Sequence, residues 1–224
     1  MSTKSDNKTN DNLNHELDNK FTIIAVLFVT VLMTSNLMAT KLVAFGPLVL
    51  PAAVILYPFS FTLGDILAEV WGFRRARQVI GMGFAANVLL VLFTNIAVVM
   101  PFPSFWSAQE GFQLVFQAVP RVLLASFSGY LLGELSNAYV LDKMKTMPGS
   151  RHLFIRTIGS TIVGMVFDTG VFIFIAFYGA VPNSVLWQMM IAQYVVKVLI
   201  EAFIGTPLAY LGVRWVRRAD RAGR

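Results

Sequence analysis

Apolar and polar positions alternate in blocks along this chain. Six apolar stretches fall at roughly 21–41, 47–72, 77–100, 119–141, 153–178 and 185–213. Each is long enough for a transmembrane helix, which needs about 20 mostly apolar residues. Residues 1–20 precede them, are polar and rich in Asn and Asp, and have almost nothing to bury, so a disordered tail is expected. The first apolar run is long and no cleavage site trails it, which argues against a signal peptide. The connection at 42–46 is tight. Residues 101–118 suit an interfacial segment with Trp106 and several phenylalanines at headgroup level. Residues 142–152 form a polar loop broken by Pro148 and Gly149. The pattern predicts an all-α membrane protein with a disordered tail at 1–20, a six-helix transmembrane domain at 21–213 and a basic tail at 214–224.

Charge orients this arrangement. Lys4, Lys8 and Lys20 lie in the N-terminal tail, and Arg74, Arg75 and Arg77 follow the second stretch. Lys143, Lys145, Arg151 and Arg156 lie between the fourth and fifth, and Arg214, Arg217, Arg218, Arg221 and Arg224 follow the sixth. In a six-span arrangement all of these share one side, and the positive-inside rule makes that side, with both termini, cytoplasmic. The same excess accounts for the net charge of +6, so nucleic acid is not an expected partner. Only 13% of residues are charged and 56% are hydrophobic, far from an ordinary soluble domain, which is about one quarter charged. With no cysteine, and with His15 and His152 both in polar segments, the chain has no disulfide, thiolate metal site or histidine chemistry at membrane depth. No metal or cofactor is expected.

The remaining charges are therefore informative. Asp65 and Glu69 lie in FSFTLGDILAEVWG (59–72), four residues apart and so on one helix face, about 6 Å apart along the axis. The fourth stretch carries Arg121, Glu134 and Asn137, the fifth Asp168, the sixth Lys197 and Glu201, and the first Ser35, Asn36 and Lys41. At about 1.5 Å per residue, Asp65 and Glu134 lie about 13 Å above the cytoplasmic charges, and Asp168 and Glu201 about 18–20 Å above them. Charged groups at such depth face a bundle interior or a water-filled cavity and need partners. Lys197 can pair with Glu201 at i,i+4. Structural pairs locking a bundle are the plain alternative for any one of these residues. Five acids against two well-buried bases, however, leaves some acids protonated or awaiting a ligand. Arg121, nearer the outer face, can snorkel, and Lys41 suits an interfacial anchor.

Other features have packing explanations. Ala125, Gly129, Gly133 and Asn137 form a stripe at spacing four that suits close helix contact within the chain or in a homodimer. Most of the phenylalanines read as lipid-facing bulk. Pro207 predicts a kink or break in the sixth helix.

Asn36 within SNLMATK, the 59–72 segment followed by arginines, PRVLLASFSGYLLGELSN (120–137), GSTIVGMVFDTGVFIFIAF around Asp168, and QYVVKVLIEAFIGTPLAY (193–210) together resemble the VUT, or queuosine precursor transporter, family. The resemblance covers about residues 21–213. It implies an inner-membrane importer of 7-cyano-7-deazaguanine and its 7-aminomethyl counterpart, precursors of a modified tRNA base. It also implies a compact bundle similar to the vitamin-binding S-components of ECF importers, although the first helix has no clear small-residue docking motif. A deazaguanine offers N1–H and an exocyclic amino group that one carboxylate, Glu69 or Asp168, can accept together. Its O6 suits Lys197, Asn36 or Asn137. Asp65 is available for an aminomethyl cation, and Trp71 or Tyr194 for stacking. Arg121, Glu134 and Glu201 remain proton-coupling or structural candidates.

No nucleotide-binding loop is present, so the chain itself does not hydrolyse ATP. The other readings are a ligand-binding subunit of a larger importer, for another vitamin or nucleobase-like compound, and an intramembrane aspartyl protease using Asp65 and Asp168. The protease reading lacks its GxGD motif, and no enzyme is expected.

Overall fold

A computed structural model describes residues 3–145 and 153–222. It is mostly helical: α1 (Thr3–Met38), a hairpin of β1 (Leu42–Phe45) and β2 (Leu48–Pro51), α2 (Tyr57–Val99), α3 (Gln109–Lys145), α4 (Leu153–Phe177), α5 (Asn183–Ile200) and α6 (Thr206–Ala222). Among the described residues, five helical segments are long and apolar enough to cross a membrane: Glu16–Met38, Ala52–Val99, Gln109–Val140, Gly159–Phe177 and Asn183–Arg217. Several hydroxyls within them are satisfied locally. Thr22, Thr30, Thr34 and Thr94 each donate to the carbonyl four residues back, at 2.7–2.9 Å. An apolar environment favours this local bond, because an unmet hydroxyl there is costly.

Several expected boundaries move. Helix α1 begins at Thr3, within the polar segment, and Glu16 and Lys20 pair along it at 2.9 Å. The second apolar stretch does not start as a helix. Residues 48–51 pair antiparallel with 42–45, in the register Leu42–Pro51 to Phe45–Leu48. Gly46 supplies the positive φ of 60° that a two-residue hairpin turn needs. A run of Val, Leu and Phe suits a strand as well as a helix over so short a length, which is why apolarity alone misassigns it. The second and third stretches form one helical run across Gly72, where φ 82° and ψ 162° break the helix. Only glycine adopts that conformation without strain. The segment expected at the interface, 101–118, becomes helical from Gln109 and continues into α3. The break predicted near Pro207 is present as a π-helical turn, Glu201–Gly205, between α5 and α6. Proline lacks the N–H that would continue the ladder, so the turn before it is free to widen.

The chain divides into two compact units, one of residues 1–34, 55–86 and 199–224, the other of residues 35–54 and 87–198. In the first, Ile24 and Phe28 of α1 pack with Ile66, Leu67 and Val79 of α2 and Val216 of α6. Trp71 meets Phe21 edge-on at 5.4 Å, Arg75 lies over the Phe21 ring at 5.6 Å, and Lys20 lies over Trp215 at 5.0 Å.

In the second unit, Ala39, Ala53, Val122, Ala125, Phe172, Ile173, Ala176, Leu186 and Met189 form the apolar core, flanked by the hairpin residues Leu42 and Val49. Helices α3 and α4 touch almost backbone to backbone. A Cβ on Gly129 would stand 2.7 Å from the Asp168 carbonyl, and one on Gly133 2.9 Å from Asp168 Cβ. One on Gly164 would stand 3.0 Å from Asn137 Cβ. The small-residue stripe of α3 is thus occupied by α4 of the same chain.

Candidate functional site

The six residues expected to bind substrate fall on both units. Asn36, Asn137, Asp168 and Lys197 belong to the second, Asp65 and Glu69 to the first.

Within the second unit the polar residues share a level. Asn36 precedes the core residue Ala39 by three positions, and Asp168 precedes Phe172 by four. Lys197 follows Met189 by eight, and Gln193 lies between them. Helices α1 and α4 run through these residues toward the apolar core, while α5 runs away from it. The three segments therefore carry their polar groups on the same side of the core, one to two turns from it. Lys197 Nζ donates to Asp168 Oδ2 at 2.6 Å, with the lysine side chain 4% exposed and the aspartate 31%. Asn36 Nδ2 donates to Asn87 Oδ1 at 3.0 Å, both residues buried. Gln193 and Thr169 are fully buried beside Lys197 and Asp168 in sequence. Asn137 Oδ1, Ser35 Oγ and Thr169 Oγ1 are buried without a hydrogen-bond partner. Buried polar groups are costly unless satisfied, so this concentration in an apolar unit marks the candidate binding layer.

Lys197 pairs with Asp168 and not with Glu201 four residues on; the π-helical turn begins at Glu201 and ends the regular i,i+4 relation. Glu134 is exposed on α3, within electrostatic reach of Asp168. Arg121 does more than snorkel. Its Nε donates to the Ile175 carbonyl at 2.6 Å and its Nη2 to that of Tyr178, so the guanidinium caps the last turn of α4. Those carbonyls have no partner within the helix and sit at its negative end.

In the first unit, Asp65 and Glu69 line an open groove of about 830 Å³ with Thr206, Tyr210, Arg214 and Arg217. Glu69 Oε1 accepts from Arg217 Nη2 at 2.8 Å, both side chains half exposed or more. The arginine, which the sequence presents as one more cytoplasmic charge, is thus a partner for the acid. Glu201 folds back over its own turn, where a Cβ on Gly205 would stand 2.8 Å from Glu201 Oε2. That oxygen has no hydrogen-bond partner, and Asp65 lies within its electrostatic reach. Thr62 Oγ1 donates to the Gly205 carbonyl at 3.3 Å, satisfying an acceptor near the turn. Trp71, a stacking candidate, already packs on Phe21.

Sequence reasoning missed Asn87, Thr169 and Gln193. Gln193 had a signal, since it stands one turn before Lys197; Asn87 and Thr169 are single polar residues in apolar helices, indistinguishable there from a hydroxyl or amide bonded to its own backbone.

Residues 51–212, well over half the chain, match the family model described as "Putative vitamin uptake transporter". The chain belongs to the vitamin uptake transporter family. It is 28% identical over 189 residues to the "Probable queuosine precursor transporter" of Bacillus subtilis (strain 168), covering 84% of this chain and 82% of that protein. It is 27% identical to the "Queuosine precursor transporter" of Escherichia coli (strain K12), over 74% of this chain and 75% of that one. A "Probable queuosine precursor transporter" of Haemophilus influenzae is 26% identical over 67% and 63% of the two chains. No solved structure matches the chain. As a member of this family, the chain is a membrane transporter and not an enzyme. The match begins at Pro51 and takes in Asp65, Glu69, Asn137, Asp168 and Lys197, while Asn36 lies ahead of it.

Proposed function

We propose that this transporter carries 7-cyano-7-deazaguanine and 7-aminomethyl-7-deazaguanine, precursors of queuosine, into the cytoplasm. The carrying observation is the Lys197–Asp168 pair, with its lysine buried and its aspartate partly so. It presents a donor beside an acceptor, the complement of an edge that offers O6 beside N1–H and an amino group. Asp168 accepts N1–H and one amino hydrogen, Lys197 donates to O6, and Asn137 and Asn36 supply further amide contacts. Adenine inverts this edge and would leave both charges unmatched, a loss that a buried site magnifies. The names of the relatives support the same ligand class. In the first unit, Asp65 and Glu69 line a groove of their own, where the carboxylates suit a cationic group.

We place the chain in the cytoplasmic membrane with six spans and both termini inside. Two features support this: the 48-residue run Ala52–Val99, twice a span in length, is broken at Gly72, and Lys20, Arg75 and Arg217 lie in the one unit that holds both ends of the chain. Glu134 and Glu201 are the carboxylates offered for a coupling proton.

The test is thermal unfolding of the purified protein with each deazaguanine, guanine and adenine. A ligand at 100 times its Kd stabilises by about 2.7 kcal/mol, a readable shift. Stabilisation by the deazaguanines and not by adenine, lost in Asp168→Asn and Lys197→Met, is expected. No shift with any of the four would remove the ligand assignment.

A further inference from the structure

We propose that Gln193, with Thr169, reads the five-membered-ring edge of the bound base and so restricts the substrate to the free base, excluding its nucleoside. The proposal rests on the deazaguanine reading of the same layer and extends it to residues that reading does not use. Four helical threonines, Thr22, Thr30, Thr34 and Thr94, turn their hydroxyls to the carbonyl one turn back. Thr169 does not: at 1% exposure, its Oγ1 is buried and bonded to nothing. A threonine that forgoes its ordinary backbone bond in an apolar surrounding holds an unmet hydrogen-bonding group, which costs free energy until something fills it. It is next to Asp168, whose carboxylate takes N1–H and one hydrogen of the amino group. The second amino hydrogen points toward the N3 side of the ring, and the Thr169 hydroxyl is the acceptor offered to it.

Gln193 stands one turn from Lys197 on the buried face of α5, in line with Leu186 and Met189, and is itself fully buried. One turn is about 6 Å, comparable to the width of the bicycle from O6 to its five-membered ring. With Lys197 on O6, the carboxamide falls at N9–H and N3. There Oε1 is the acceptor offered to N9–H. A ribose at N9 removes the donor and adds bulk against a buried amide. Discrimination that rests on a buried, matched hydrogen bond is typically steep.

Titration calorimetry of the full chain in detergent, with 7-cyano-7-deazaguanine and with its ribonucleoside, tests this. The wild type is expected to bind the base at least about 100-fold more tightly than the nucleoside. Gln193→Leu and the near-isosteric Gln193→Glu are expected to weaken base binding about tenfold or more and to compress that ratio; either one, if folded by its ligand-free unfolding temperature, suffices. Thr169→Val should weaken the base about tenfold, and Thr169→Ser, which keeps the hydroxyl, should restore it. Wild-type binding of the base with an unchanged ratio in the Gln193 variants and unchanged affinity in Thr169→Val would overturn the proposal alone. A wild type that binds neither compound would overturn it together with the deazaguanine reading.

Discussion

Replacing Gly129 by alanine tests the arrangement from which the candidate site is built. The new Cβ would stand 2.7 Å from the Asp168 carbonyl oxygen and 3.2 Å from its Oδ1. Ordinary van der Waals contact begins near 3.4 Å, so α3 and α4 must part by about 0.7 Å or the Asp168 backbone must yield. Neither neighbour is the free end of a flexible chain. Overpacking of this kind costs about 1–3 kcal/mol, against less than about 1 kcal/mol gained from alanine's higher helix propensity, so the net sign is destabilising. Gly170, two residues along α4 from Asp168, is the control. It is helical and a Cβ there meets nothing within 4 Å, so Gly170→Ala should leave stability unchanged or raise it. Intrinsic fluorescence from the four tryptophans follows thermal unfolding of both variants in detergent. Because Asp168 moves with the clash, Gly129→Ala should also weaken deazaguanine binding while Gly170→Ala does not. If Gly129→Ala proved as stable as Gly170→Ala, the α3–α4 contact described above would be wrong.

Other outcomes follow from the charges. Lys197→Met leaves the partly exposed Asp168 carboxylate without its lysine and should destabilise by about 1–3 kcal/mol, whereas Lys197→Met with Asp168→Asn should recover much of that in the same unfolding assay. Neither should bind a deazaguanine. Glu69→Gln and Arg217→Gln break a pair that is half exposed or more, so each should shift stability by less than about 1 kcal/mol, and a larger loss would show that the pair is buried in the working protein. Glu201→Gln should retain ligand-induced stabilisation yet lose concentrative uptake in energised vesicles; undiminished accumulation would show that this carboxylate carries no coupling proton.

The helical membrane class was legible because long apolar runs are a property of composition that no tertiary contact overrides. Asp168 and Lys197 were legible for the same reason, since charge in such a run stands out. The hairpin at 42–51 was not, because eight apolar residues satisfy a strand ladder and a helix equally well and the choice falls to Gly46 and Pro47. Which acid meets which base was also hidden. Lys197 had Glu201 at the right spacing in its own helix, and only the widened turn ahead of Pro207, together with the closeness of α4, decides for Asp168. The glycines of α3 advertised a close contact without naming the partner. Arg121 as a cap on α4 had no sequence signal at all, because the carbonyls it serves are more than fifty residues away.

The Lys197–Asp168 bond has a bearing on how a carrier would cycle. Lysine and aspartate satisfy one another, so the pair adds no net charge to the polar layer of the second unit. On the proposed reading, a carrier built on this pair can reorient without dragging the charge of either group across the bilayer. On that same reading cargo enters by substitution: it must offer both groups a replacement at once, and on leaving it lets them rejoin. Such a latch favours net uptake over obligatory exchange, since the return journey requires no passenger.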